Sequence, residues 1–277
     1  MTTKWLITGA SRGFGRALAE AVLENGDRLV ATARRPEQLD DLVSRYGGQV
    51  RSVALDVTDT AAARNAVRAA VDSFGRLDVV VNNAGYANSA PIEEMTEDDF
   101  RGQFEANFFG VVNVTRAALP VLRAQRSGTF LQFSSLGGRV GGTPGMGAYQ
   151  SAKFAVEGFS EVLANEVAPF GVRVVIVEPG AFRTDWQGSS MELHAVGADY
   201  EQTVGAMNEY RARNNGTQPG DPVRAARVLI DVAGHAEPPR RLPLGAQAVT
   251  MALEAGDARA AETRKWAEAS AAADFPA

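Results

Sequence analysis

Tyr149 and Lys153 stand four residues apart, a spacing that puts both side chains on one face of a helix. A phenol beside an ammonium is an acid–base device: one cation about 4 Å away, at an effective dielectric near 20, is worth roughly 4 kcal/mol. That is enough to bring a tyrosine from about 10 to near neutrality. Such a phenol gives its proton to a carbonyl oxygen as the carbon is reduced, and its phenolate takes the proton of an alcohol in reverse. Lysine occurs only at positions 4, 153 and 265, against 28 Lys plus Arg, so a lysine at 153 is informative.

A second constellation lies near the N-terminus. Thr8-Gly9-Ala10-Ser11-Arg12-Gly13-Phe14-Gly15 follows a short apolar run and leads into Leu18, Ala21 and Val22 at helical spacing. Strand, glycine turn and helix start form an anion cradle: the glycines permit the turn and a close backbone approach, while N–H groups and the helix dipole face a pyrophosphate. About twenty residues on, where a carboxylate would hold the adenosine ribose of NAD, the chain reads Thr32-Ala33-Arg34-Arg35. Arg34 with Arg12 suits a 2′-phosphate instead, so NADP, as NADPH, is the expected cofactor in preference to NADH.

The elements that must position these groups are legible as β-rich runs at 5–8, 29–32, 50–55, 79–81, 130–133 and 172–177, separated by helical patterns. Runs apolar on both faces suit a parallel sheet covered on each side, an α/β doubly wound, Rossmann-type single domain. Gly26, Gly75 and Gly171 fall where helices should stop, Thr96 with Asp99 resembles a capping box, and Asp221-Pro222 opens a helix. Glu93-Glu94 and Asp98-Asp99 precede or open a helix, where carboxylates favour the dipole, and read as structural. The polar stretch 186–220 reads as a substrate lid and the Ala-rich stretch 252–277 as a helical tail with a frayed end.

Composition excludes other chemistries. The formal charge is −5, which offers no basic excess for nucleic acid or an anionic membrane. Cysteine is absent and the two histidines, His194 and His235, lack metal-ligand spacing, so no metal site is expected. No secretory leader or long apolar run is evident, and a cytoplasmic location is expected.

From about residue 4 to residue 245 the motifs together resemble the short-chain dehydrogenase/reductase family in its compact form. The resemblance rests on Thr8-Gly9-x-x-x-Gly13-x-Gly15, Asp56 in Leu55-Asp56-Val57, Asn82-Asn83-Ala84-Gly85, Asn107 before Gly110, Ser134-Ser135, Tyr149-x-x-x-Lys153, and Pro179-Gly180 followed by Thr184. It implies that Asp56 and Val57 hold the adenine, Asn83, Ala84 and Gly85 the ribose side, and Pro179, Gly180 and Thr184 the nicotinamide. It further implies that Lys153 bonds the nicotinamide ribose and that Asn107 positions a water leading to it. Ser135, followed two residues later by Gly137, matches the substrate-oxygen donor, with Ser134 as the alternative. Ser135 and Tyr149 are 14 apart, one more than the family pattern, with the extra residue placed within 141–144.

The resemblance thus implies hydride transfer between nicotinamide and a carbonyl or secondary alcohol. Met146, Phe182, Trp186 and Met191 are the expected walls for an apolar or amphipathic small molecule. Family members commonly form dimers or tetramers, and Phe154 and Phe159 flank a candidate packing face. Two other readings stay open: a catalytically silent nucleotide-sensing regulator, and an epimerase or dehydratase of the related extended family.

Overall fold

The computed structural model describes residues 2–188 and 190–275. The chain alternates β1 (Lys4–Ile7), α1 (Gly13–Glu24), β2 (Arg28–Ala33), α2 (Asp40–Tyr46), β3 (Val50–Ala54), α3 (Thr60–Phe74) and β4 (Val79–Asn82). It continues through β5 (Ala87–Ser89), α4 (Glu97–Phe104), α5 (Gly110–Gln125), β6 (Gly128–Phe133), α6 (Leu136–Arg139), α7 (Gly147–Val167) and β7 (Val172–Pro179). The remainder is β8 (Met191–Leu193), α8 (Ala206–Asn214), α9 (Pro222–Gly234), β9 (Arg241–Leu244), α10 (Ala246–Lys265) and α11 (Ala267–Ala271).

Seven strands form a parallel sheet in the order β3-β2-β1-β4-β6-β7-β9. Alternation along each strand divides the core into two layers. Trp5, Ile7, Val79 and Val81 face α1 and α9 through Leu18, Val22 and Leu229, whereas Leu6, Val80 and Phe130 face α3, α5 and α7 through Ala66, Val114 and Leu163. The six expected runs are the strands from β3 to β7 in this order, in the parallel sheet that their two-sided apolarity implies. Because β2 and β3 extend the sheet one way from β1 and the later strands the other, a crevice opens beyond the carboxyl ends of β1 and β4.

The expected helix ends are present. Gly26, Gly75 and Gly171 all have positive φ, Thr96 Oγ1 accepts the Asp99 N–H, and the Asp221 carboxylate accepts from Val223 and Arg224. The C-terminal helix starts at Ala246, six residues before the expected boundary, because Ala248 and Ala252 are buried against α6 and extend its docked turn. The expected frayed end includes Pro276 and Ala277, which lie outside the described residues. Three short strands had no pattern to announce them. β9 carries Pro243 and is tolerated only because it is an edge strand bonded to β7 alone, while β5 and β8 pair with each other at Ala87↔Met191 and Ser89↔Leu193.

The stretch after β7 leaves and returns at one point, where Arg183 N donates to Gly220 O and Gly220 N to Ala181 O. Glu93 and Glu94, read as structural acids preceding or opening a helix, fasten this excursion: Glu93 accepts from the Tyr200 hydroxyl and Glu94 from the Gly197 N–H. No helix among the described residues is long and apolar enough to cross a membrane.

Candidate active site

α1 begins directly after the glycine turn, and no described side chain caps its N-terminus, which leaves its first N–H groups for an anion. Gly9 and Gly13 have φ of 66° and 56°. A Cβ on Gly15 would lie 2.2 Å from the Gly9 carbonyl oxygen, so that position must be glycine for the turn to fold back on the helix. The Thr8 hydroxyl accepts the N–H groups of Asn83 and Ala84 at 2.9 and 3.0 Å. The Asn83 amide donates to the carbonyls of Thr8 and Gly9 at 2.9 and 3.2 Å. Asn83, expected on the cofactor ribose side, also ties the end of β4 to the glycine turn through its side chain, a role shared by Thr8.

A cleft of about 1080 Å³ runs from this turn to the excursion after β7. Gly9, Ser11, Arg12, Gly13, Phe14, Arg34, Asp56, Val57, Asn83, Ala84, Gly85, Pro179, Gly180 and Thr184 all line it, while Gly15 supports the turn from beneath. Arg34 sits with Arg35 beyond the carboxyl end of β2, and both are exposed. Asp56 closes its own turn by accepting from the N–H and hydroxyl of Thr58 at 3.0 and 2.8 Å. A glycine cradle at an uncapped helix start, continuous with a crevice of this size, fits a dinucleotide.

Beyond the cradle, α7 presents Tyr149 and Lys153 to the same cleft, 7% and 4% exposed. The Lys153 ammonium donates to the Phe133 carbonyl at 2.8 Å. Burial brings Lys153 down from its ordinary value to about 8, opposed by Glu157 one turn on. Burial also raises the Tyr149 phenol above its ordinary value, while its hydrogen-bonding neighbour Ser135 pulls the other way. This corrects the expectation of a phenol near neutrality. The ammonium is 5.7 Å from the centre of the Tyr149 ring, and desolvation of the phenolate is the largest influence on the phenol.

The two serines separate. Ser135 caps α6, accepting from Gly137 N at 3.0 Å, and neighbours the Tyr149 hydroxyl. Ser134 turns away and donates to the Lys153 carbonyl at 3.3 Å. Gly141 and Gly142, both at positive φ, sit in the loop expected to absorb the extra residue.

Asn107 lies where the helix from Glu97 widens into a π turn over Glu105–Phe109, a distortion often found at functional sites. It is fully buried and donates to the carbonyls of Tyr86 and Gln103. Its Oδ1 accepts from no described residue. This oxygen and the Lys153 ammonium both flank Gly85, where a Cβ would meet them at 2.4 and 3.8 Å.

Met146, Tyr149, Trp186 and Met191 form one apolar cluster with Ala87, and the rings of Tyr149 and Trp186 are 4.9 Å apart. Phe182 lines the cleft as well, but from outside that cluster. It packs on Phe14 at 4.8 Å and joins the main core beside the glycine turn, because the Phe182↔Gly220 bridge pins it at the root of the excursion. Thr143, Gln150, Tyr210 and Arg211 line the cleft without any motif to mark them.

The family model for the short chain dehydrogenase matches residues 3–194. Oxidoreductase BOA17 of Botryotinia fuckeliana is 52% identical over 273 residues, covering 98% of this chain and 99% of that protein. A short-chain dehydrogenase from Streptomyces avermitilis superposes with a TM-score of 0.92 at 40% identity, over 99% of this chain and 100% of that one. The closed form of serine dehydrogenase complexed with NADP+ superposes with a TM-score of 0.74 at 25% identity, over 86% of this chain and 92% of that one. With its glycine cradle, its Tyr149–Lys153 helix and these relatives, the chain belongs to the short-chain dehydrogenase family and is an NAD(P)-dependent oxidoreductase.

Proposed function

We propose that this enzyme is an NADPH-dependent reductase of an apolar or amphipathic carbonyl compound, the reverse reaction being oxidation of a secondary alcohol. The observation that carries this reading is a buried phenol that shares one cleft with the Ser135 hydroxyl, the Lys153 ammonium and the glycine cradle. When bound, the dinucleotide supplies the hydride.

Tyr149 donates the proton to the substrate oxygen, and its raised pKa keeps that proton in place at neutral pH. Ser135 donates a hydrogen bond to the same oxygen and stabilises charge developing there. Lys153 holds the nicotinamide ribose and supplies positive charge behind the phenol, with the Asn107 oxygen beginning a proton path back to solvent. The backbone of the glycine turn and the start of α1 hold the pyrophosphate, and Arg34 with Arg12 holds a 2′-phosphate. Met146, Trp186 and Met191 exclude water from the reacting carbon. Phe109, Phe154 and Val162 are exposed and support assembly into a dimer or tetramer through the long helices.

The test is NADPH consumption by purified protein against ketones, aldehydes and quinones, with Tyr149→Phe alongside. Turnover should fall by about 10²-fold or more in the variant, while NADPH binding changes little. A variant as active as the parent would remove Tyr149 from the chemistry. NADPH binding without any turnover would favour a sensor.

A further inference from the structure

The far wall of the cleft carries a cation that the proposed chemistry does not use. Arg211, on α8, is 6% exposed and lines the same cleft as Tyr149. Its Nη1 donates to Ser89 Oγ at 2.9 Å and to Asn208 Oδ1 at 2.8 Å, and its Nη2 donates to the Pro144 carbonyl at 3.1 Å. All three acceptors are neutral, and a guanidinium has donors to spare beyond them. Among the described residues no carboxylate pairs with it. Burial alone acts on its charge and makes protonation less favourable than for an ordinary arginine.

Two buried carboxylates elsewhere have arginine partners. Glu178, fully buried, is paired with Arg139 and Arg241, and Glu157 is paired with Arg241. An uncompensated buried cation is costly. The charge therefore needs a partner that arrives with the ligand. Pro144 is two residues from Met146, which packs with Tyr149, Trp186 and Met191. The walls thus present a proton donor, then an apolar stretch, then a guanidinium.

We propose that Arg211 binds the carboxylate of an oxo-acid substrate, whose carbonyl reaches Tyr149 across an apolar spacer bounded by Met146 and Trp186. A planar guanidinium matches a carboxylate in geometry as well as charge. The proposal rests on the reductase reading above and narrows its substrate class.

Two measurements separate the two ideas. NADPH-dependent turnover of linear oxo acids, from 4-oxopentanoate to 8-oxononanoate, is compared with that of their methyl esters. At least one acid should exceed its ester in kcat/KM by about tenfold or more, the usual worth of a charge-assisted hydrogen bond. In Arg211→Gln, which keeps a donor for the Pro144 carbonyl, that ratio should collapse toward one through KM, with Arg211→Lys intermediate. Calorimetric titration of the same acids and esters into the wild-type protein decides the matter if the variants fail to fold, and the acids should bind more tightly. Esters bound and turned over as well as acids throughout the series would overturn the role of Arg211 and leave the reductase standing. Tighter acid binding without turnover of any carbonyl compound would retain the carboxylate site and sink the reductase.

Discussion

The ammonium of Lys153 lies 5.7 Å from the centre of the Tyr149 ring and donates to the Phe133 carbonyl at 2.8 Å. Cation and phenol are therefore buried together without a direct bond between them, and each resists ionisation. Tyr149 holds its proton above the ordinary phenol range, and Lys153 gives its proton up at about 8.

This relationship sets the pH profile. For carbonyl reduction the required forms are neutral Tyr149 and charged Lys153, so kcat/KM should be flat through neutrality and fall above about pH 8. Oxidation of an alcohol needs the phenolate and should accelerate with rising pH. In Lys153→Arg, whose charge persists throughout the accessible range, the limb near 8 should disappear. A limb that survives that substitution belongs to another group.

Arg34→Ala should weaken NADPH binding by roughly 10- to 100-fold, the worth of charge-assisted bonds to a phosphate, and change NADH binding by less than about threefold. Equilibrium titration of both nucleotides reads this directly. Equal losses would place Arg34 outside any phosphate clamp.

Gly15→Ala brings a Cβ to 2.2 Å from the Gly9 carbonyl oxygen and 2.6 Å from the Asn83 amide nitrogen. Backbone and a hydrogen-bonded side chain cannot both yield, so a destabilisation of about 1–3 kcal/mol is expected, with NADPH affinity falling as the cradle deforms. Denaturant unfolding and nucleotide titration check the two effects. Gly26→Ala, with nothing near its absent Cβ but a φ of 81°, is the control for strain without crowding and should leave nucleotide binding intact.

Glu157 is a stability sensor behind the site. Burial, reinforced by Glu178, raises it to about 7 from an ordinary value of 4.5, against the pull of Ser134 and Arg241. Between those limits the folded chain binds more protons than the unfolded chain, so this group's contribution to stability is full below about 4.5 and is lost as pH rises through 7. Relative to Glu157→Gln, the wild type should therefore lose roughly 1–3 kcal/mol of stability across that window. Urea midpoints at pH 4.5, 6 and 8 measure the difference, and a constant gap would contradict it.

Sequence by itself determined what is local. The glycine turn, the helical pairing of Tyr149 with Lys153, the caps at Thr96 and Asp221 and the six apolar strands each arise from backbone sterics and periodicity within a few residues, and all are present in the fold. Tertiary structure decided what depends on burial and on contacts between distant segments. Only packing shows that burial raises the phenol, that Ser135 and not Ser134 neighbours Tyr149, and that Phe182 packs on Phe14 at the root of the excursion. Arg211 carries no motif in an arginine-rich chain. It becomes significant because Ser89 and Pro144, 122 and 67 residues away in sequence, close around it without an acid, and desolvation of a charge is a property of the assembled surroundings.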